Sequence, residues 1–166
     1  SNFLSLSSYS YLKKFTFFGF FYLLLIGVIT QIIKHLVGRP RPNHASLDGG
    51  FEFNFFTTES AFHSFPSGHS STIIAVTLIA SLAIPSLRYF FYICGLLIAL
   101  SRVVVGAHFI TDVLAGTLIA IIVYKALDFF VKKKNPNIYW NNLEIHNISN
   151  LANITIVFLI LAIFIT

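Results

Sequence analysis

The chain has 166 residues, of which 56% are hydrophobic and only 10% are charged, a balance that excludes a soluble monomer and an intrinsically disordered chain. Its single cysteine excludes an internal disulfide, and with it a disulfide-stapled secreted module. The formal charge of +5 comes from eleven Lys and Arg residues scattered among apolar runs, so we expect membrane lipids and no nucleic acid as its anionic partner.

Four apolar stretches predict membrane-spanning helices, because about 20 apolar residues in a helix cross the hydrocarbon core of a bilayer. A long polar connection, 34–66, follows the first stretch, and the residues Pro85-Ser86-Leu87-Arg88 predict a tight turn between the second and the third. The sequence therefore predicts an all-α fold, a polytopic transmembrane helix bundle with spans over 15–33, 70–85, 89–107 and 113–131.

The positions of Lys and Arg predict which helix ends face the cytoplasm, where these residues are enriched. When the four spans alternate in direction, the cytoplasmic ends carry Lys13, Lys14, Arg88 and the triplet 132–134. The connection 34–66 then meets region 101–112 on the opposite side of the membrane. We expect residues 135–166 to form a cytoplasmic loop and an additional C-terminal transmembrane helix, which begins near Leu151.

Three clusters of polar residues fall on the non-cytoplasmic side: Lys34 with Arg41-Pro42, then Pro66-Ser67-Gly68-His69, then Ser101-Arg102 with His108 and Asp112. In this order and at these spacings they resemble the signature of the type 2 phosphatidic acid phosphatase family, which includes membrane-integral lipid phosphate phosphatases. The resemblance covers about residues 15–131 and implies a haloperoxidase-like core, with residues 1–134 as the catalytic unit. Family members usually carry helices before the first motif, so we expect this chain to lack its N-terminal helices.

The resemblance implies hydrolysis of a lipid phosphate monoester or diphosphate, such as phosphatidic acid, phosphatidylglycerol phosphate, undecaprenyl diphosphate or phosphorylated lipid A. The cations suit this chemistry, because phosphoryl transfer depends mainly on positioning and charge stabilisation. Lys34 alone would be read as a snorkelling anchor, whereas Arg102 in an apolar run is costly in lipid unless it faces an anion or a wet pocket. The six-residue spacing from Lys34 selects Arg41, so we assign Arg39 to the surface or rim.

The second cluster precedes an apolar run, so Ser67 or a neighbour is expected to form a helix N-terminus. Free backbone N–H groups there bind anions, and Gly68 lets a phosphate approach closely. The alternative for these two residues is an ordinary helix cap. His69 is the candidate general acid, which gives a proton to the departing alkoxide.

His108 and Asp112 lie four residues apart, which on a helix places them on one face. The carboxylate would accept a hydrogen bond from one ring nitrogen of His108, and the other nitrogen would attack phosphorus to form a phosphohistidine. The alternative is a structural hydrogen-bonded pair. His63, His69, His108 and Asp112 are also possible metal ligands, but the neighbouring cations argue against a metal, so we expect no metal and no cofactor.

Two other functions stay open: a phosphotransferase of the same fold that moves phosphate to another acceptor, and a non-catalytic carrier that binds lipid headgroups.

The phenylalanines of segment 51–56 predict either aromatic anchors at the membrane interface or a lid over the lipid chain. The abundance of Ile, Phe, Asn and Lys suits an AT-rich bacterial genome. We therefore expect a bacterial inner-membrane protein whose active site faces the periplasm.

Overall fold

The structure is a computed structural model that describes residues 6–44 and 52–136, with side chains from residue 13 onward. Four α-helices form the bundle: α1 (Leu6–Val37), α2 (Gly68–Ala83), α3 (Arg88–Val104) and α4 (Ile110–Lys134). Short 3-10 turns at Pro42–His44, Ser60–Phe62 and Pro85–Leu87 complete the regular structure, and the described ranges contain no β-strand. The predicted all-α fold is confirmed. The predicted fifth helix near Leu151 lies outside the described residues.

Helix α1 runs in the opposite direction to both α2 and α4, as contacts along its length show. The Tyr22 hydroxyl of α1 donates to the Ala120 carbonyl of α4 at 2.7 Å, and one turn earlier Phe18 packs edge-on against Tyr124 at 6.0 Å. At the other end of α1, Thr30 lies 3.3 Å from Ser71 in the first turn of α2. The C-terminal ends of α1 and α3 therefore meet the N-terminal ends of α2 and α4, as the alternating spans predicted.

Helix α2 is as long as the predicted second span, 70–85, but it is too short to cross a membrane by itself. It has 16 residues, or about 24 Å of helix, which is shorter than the ~30 Å core of a bilayer. It begins directly after Pro66-Ser67 and ends before Pro85, and these breaks set its length. Within residues 6–44 and 52–136, the helices that are long and apolar enough to cross a membrane are α1, α3 with its preceding turn, and α4. These observations support an integral membrane protein.

Small residues let the other helices pack closely around α2. Most of its buried positions are Ser, Thr or Ala, and the buried positions of α3 are Gly95 and Ala99. Small residues at helix interfaces allow backbones to approach closely in membrane bundles. Larger apolar side chains fill the rest of the core, where Phe15, Tyr22 and Ile26 of α1 are almost completely buried. The outward face of α3 is apolar and exposed, as expected for contact with lipid.

Candidate active site

The N-terminus of α2 is the centre of the candidate site. Ser67 caps the helix, because its hydroxyl oxygen accepts hydrogen bonds from Ser70 N at 3.3 Å and from Ser70 Oγ at 2.8 Å. A Cβ added to Gly68 would lie 3.2 Å from Lys34 Nζ. The half-buried Lys34 ammonium therefore lies beside the first turn of α2, which argues against a snorkelling anchor. The predicted helix N-terminus at Ser67 is confirmed.

The first turn of α4 is in direct contact with this N-terminus. Ser67 N donates to the Asp112 carbonyl at 3.0 Å. One turn along α4, a Cβ added to Gly116 would lie only 2.5 Å from Ser67 O and 3.2 Å from Ser71 N. The absence of a side chain at Gly116 thus permits a backbone-to-backbone approach between the two helices, which sets the distance between the second and third polar clusters.

The connection before α2 folds back over the same end of the bundle. Arg41 N donates to the Ala61 carbonyl at 2.9 Å, and Arg41 Nε donates to the Ser60 carbonyl at 3.1 Å. Ser64 N donates to the Arg39 carbonyl at 3.0 Å. These hydrogen bonds hold the first polar cluster next to the second although 24 residues separate Arg41 from Pro66 in the sequence.

A tight reversal after α3 brings His108 to the site. The Arg102 carbonyl accepts hydrogen bonds from Ala107 N at 3.1 Å and from His108 N at 3.2 Å. Gly106 has a φ of 71°, in the left-handed region that favours glycine, so the reversal depends on this residue. Arg102 and His108 are therefore fixed relative to each other by backbone contacts.

His69 shows that the three clusters converge. Its side chain is exposed at the first turn of α2, and Arg102, His108, Lys34 and Arg41 all act on it electrostatically. Lys34 in turn lies close enough to Arg41 and to Asp112 for their charges to act on its ammonium group. The predicted site residues are thus gathered at one end of the bundle, around a helix N-terminus.

The relation between His108 and Asp112 differs from the prediction. His108 precedes α4, which begins at Ile110, so the two residues do not share a helix face. His108 Nδ1 lies 2.7 Å from the Ser64 carbonyl oxygen but 3.7 Å from Asp112 Oδ2, too far for a hydrogen bond. A carbonyl only accepts, so Nδ1 carries a proton and donates it to Ser64. In the neutral ring Nε2 is then unprotonated and available as a nucleophile.

The fully buried Asp112 carboxylate is bound by other donors. Arg39 Nη1 donates to Oδ1 at 2.7 Å, while Oδ2 accepts from Ser64 Oγ at 2.5 Å and from Phe109 N at 2.8 Å. These three donors, one of which is the positively charged Arg39 guanidinium, compensate the free-energy cost of burying the carboxylate. Asp112 therefore joins the connection before α2 to the start of α4.

The assignment of Arg39 to the surface or rim is wrong. Its side chain is only 20% exposed, pairs with Asp112, donates to Thr111 Oγ1 at 2.7 Å and lies 4.2 Å above the Phe109 ring. The spacing from Lys34 selected Arg41 and gave no reason to consider a second arginine. The repeated Arg-Pro pair was the signal in the sequence that pointed to Arg39.

Comparison with known proteins agrees with this arrangement. A sequence model of the PAP2 superfamily matches residues 16–136, which contain all three polar clusters. The chain belongs to the PAP2 superfamily. No solved structure gives a significant match.

Relatives of this PAP2 superfamily chain include lipid phosphatases. A lipid A 1-phosphatase from Rhizobium johnstonii is 41% identical over 97 residues, which cover 58% of this chain and 40% of that protein. A phosphatidylglycerophosphatase B from Bacillus subtilis is 32% identical over 132 residues, covering 71% of this chain and 60% of that protein. The chain thus spans 40% of the first relative and 60% of the second.

The possible metal ligands do not form a set in this PAP2 superfamily bundle. Throughout 13–44 and 52–136, no group of three or more His, Cys, Asp or Glu side chains is arranged to hold a metal ion. His63 points away from the other candidate ligands, with Nε2 3.1 Å from the Thr57 carbonyl and its ring 4.4 Å from that of His35.

Phe53, Phe55 and Phe56 are exposed, which fits either an interfacial anchor or a lid.

Proposed function

We propose that this PAP2 superfamily protein is a phosphohydrolase that removes phosphate from a membrane lipid through a phosphohistidine on His108. The observation that carries the proposal is the convergence of Lys34, Arg41, Arg102 and His69 at the N-terminus of α2, next to a histidine whose Nδ1 is occupied. A carrier has no use for an oriented nucleophile beside a proton donor.

Phosphate binding follows from the charges. The three cations and the free N–H groups of α2 attract the phosphate dianion, and arginine offers a fork of donors for two oxygens. Gly68 has no side chain, so it places nothing between the first turn of α2 and the Lys34 ammonium, which lies 3.2 Å from the position of an added Cβ. The bound anion favours a proton on His69, because it offsets the repulsion from the surrounding cations.

The reaction proceeds in two steps. In the first, His108 Nε2 attacks phosphorus, the bond from phosphorus to the lipid oxygen breaks, and His69 gives its proton to that oxygen. In the second, neutral His69 takes a proton from water as the water oxygen attacks phosphorus. The bond from phosphorus to nitrogen breaks, inorganic phosphate leaves, and both histidines return to their starting states. The cations stabilise the charge on the transferring group in both steps.

The substrate class is a phosphorylated lipid. Two observations support this assignment: the apolar helices end at the site, and the relatives carry the names lipid A 1-phosphatase and phosphatidylglycerophosphatase B. The opposite end of the bundle exposes Arg88 and the lysines 132–134, which favours a cytoplasmic position for that end. We place the active site at the periplasmic face of a bacterial inner membrane.

A phosphate-release assay tests the proposal. The purified protein in detergent is given phosphatidic acid, phosphatidylglycerol phosphate, undecaprenyl diphosphate and lipid A, and free phosphate is measured. We expect release from at least one lipid, no release by His108→Ala, and unchanged release by Arg88→Ala, a matched loss of an arginine at the far end of α3. Consumption of substrate without free phosphate would indicate phosphotransfer, and binding without turnover would indicate a carrier. Either result would contradict hydrolysis.

A further inference from the structure

Three exposed phenylalanines, Phe53, Phe55 and Phe56, lie at a turn in the connection before α2, which we call the aromatic turn. The rings of Phe53 and Phe55 stack on each other at 6.0 Å. Phe56 has a φ of 59°, a strained value for a bulky residue, and its side chain is 77% exposed. An exposed ring gains no contact with the protein core that would offset this strain.

The aromatic turn is fixed to the C-terminal end of α1 on both sides. Before it, Asn54 N donates to the Gly38 carbonyl at 2.8 Å, and a Cβ added to Gly38 would collide with the Asn54 carbonyl. After it, His63 Nε2 donates to the carbonyl of the buried Thr57 at 3.1 Å, and the His63 ring packs against that of His35 at 4.4 Å. The aromatic turn therefore has a defined height along the axis of α1.

The lipid-facing side of α1 shows where this height falls in a membrane. Its exposed apolar residues recur every three or four positions in one stripe, formed by Phe17, Phe20, Phe21, Leu24, Leu25, Val28, Ile32 and Leu36. From Phe17 to Leu36 the helix rises about 29 Å, which matches the ~30 Å hydrocarbon core of a bilayer. Gly38 follows directly after this stripe, so the aromatic turn lies at the boundary between hydrocarbon and headgroups.

The candidate phosphate site lies at a different depth from the aromatic turn. Lys34 Nζ lies beside the first turn of α2, and Thr30 lies 3.3 Å from Ser71 in that same turn, so the site is level with these two residues of α1. The aromatic turn is level with Gly38, about 6–12 Å further from the membrane centre. The acyl chains of a lipid bound by its phosphate extend towards the membrane centre, away from the aromatic turn. The surrounding bilayer, rather than the bound substrate, is therefore the partner that the aromatic turn can reach.

We propose that the aromatic turn is a membrane-docking element, which inserts at the boundary between headgroups and acyl chains in the leaflet on the active-site side. Exposed apolar side chains at this depth are stabilised by transfer from water into the interface. Because the aromatic turn is fixed to Gly38, its insertion also sets the depth of Lys34 and of the candidate site. The proposal does not rest on the phosphohydrolase function, because the depth can be measured without a substrate.

Tryptophan fluorescence in lipid vesicles tests the depth. Trp140, the one tryptophan of the chain, is replaced by phenylalanine, and Phe56→Trp or Leu25→Trp is added to that background. The proteins are reconstituted into phosphatidylcholine vesicles whose acyl chains carry bromine, a quencher of tryptophan, either near the headgroup or near the chain end. Leu25 lies near the middle of the exposed stripe and is the control. We expect stronger quenching of Phe56→Trp by the shallow bromine and of Leu25→Trp by the deep bromine.

Two results would overturn the proposal. Emission of the Phe56→Trp protein that neither brominated lipid quenches would place the aromatic turn in water. Quenching that begins only after phosphatidic acid is added to the vesicles would make the turn a lid over bound substrate. Shallow quenching in a protein that releases no phosphate would uphold the docking role and reject the proposed function alone.

Substitutions of the two attachments test whether α1 sets the depth. Gly38→Ala displaces Asn54, and His63→Ala removes the hydrogen bond to Thr57, so in the Phe56→Trp protein each should cause a loss of the preference for shallow quenching. His44→Ala, which removes an exposed histidine of the same connection, should leave the preference unchanged. If Gly38→Ala does not fold, His63→Ala decides the question. An unchanged preference in the folded attachment variants would overturn the claim that α1 sets the depth.

Discussion

Gly116→Ala perturbs the contact that sets the distance between the two halves of the site. An added Cβ would lie 2.5 Å from Ser67 O, whereas ordinary contacts begin at 3.4 Å, so α2 and α4 must separate by about 1 Å at this point. The obstructing atom belongs to the backbone and cannot rotate away. Ser67 caps α2 and its N–H donates to the Asp112 carbonyl, so the separation moves the N-terminus of α2 relative to His108.

The size of the effect can be worked out from this displacement. Overpacking costs about 1–3 kcal/mol, and replacing glycine by alanine in a helix recovers up to about 1 kcal/mol. We therefore expect the free energy of unfolding to fall by at most about 2 kcal/mol. A displacement near 1 Å at the reacting groups costs about a hundredfold in rate, so the loss of kcat should be much larger than the fraction of unfolded protein explains.

Gly95→Ala is the matched control. Its added Cβ would collide with the Thr77 side chain, which lies about 14 Å along α2 from Gly68. Thermal unfolding in detergent and phosphate release are measured for both variants. We expect Gly95→Ala to be destabilised with near-normal kcat, and Thr77→Ala to restore its stability. A wild-type kcat in Gly116→Ala, or an equal loss of kcat in both variants, would refute the argument.

Two further predictions concern the chemistry of the site. Orthovanadate should inhibit in competition with substrate while EDTA has no effect, because side-chain cations stabilise the charge; loss of activity in EDTA that a divalent ion restores would contradict this. His69→Ala should recover activity with an activated aryl phosphate, whose leaving group needs no proton, whereas His108→Ala should stay inactive with every ester; the reverse pattern would exchange the two assigned roles.

The helices of this bundle were largely predictable because a membrane imposes a minimum apolar length. The predicted spans 15–33 and 113–131 lie inside α1 and α4, and the predicted turn at Pro85 is present. The predicted second span, 70–85, has the same 16 residues in length as α2, and the Ser67 cap was also predicted. The error was to treat this segment as a membrane span. Its many small residues indicate a helix enclosed by neighbours rather than one that spans the bilayer unaided.

The predicted site residues came from the resemblance of three clusters to a family signature, which rests on order and spacing, and spacing has a physical limit. It identified the polar clusters that the structure gathers around His69. For His108 and Asp112 it predicted the proximity, 3.7 Å between Nδ1 and Oδ2, but for the wrong reason, because a four-residue separation means a shared face only when both residues are helical. It also missed Arg39 and Ser64, whose contacts with Asp112 depend on how the connection before α2 folds. The repeated Arg-Pro pair singled out Arg39, but nothing local in the sequence indicated its contact with Asp112 or that of Ser64.

Trapping of the phosphoenzyme tests the central claim most directly. The protein is mixed with a lipid phosphate that carries ³²P, denatured in detergent at alkaline pH, and separated from free substrate. The account predicts label on the wild-type chain, retained at alkaline pH and lost in acid as a phosphohistidine requires, and an unlabelled His108→Ala chain. Label of equal intensity on folded His108→Ala protein would show that another residue is the nucleophile.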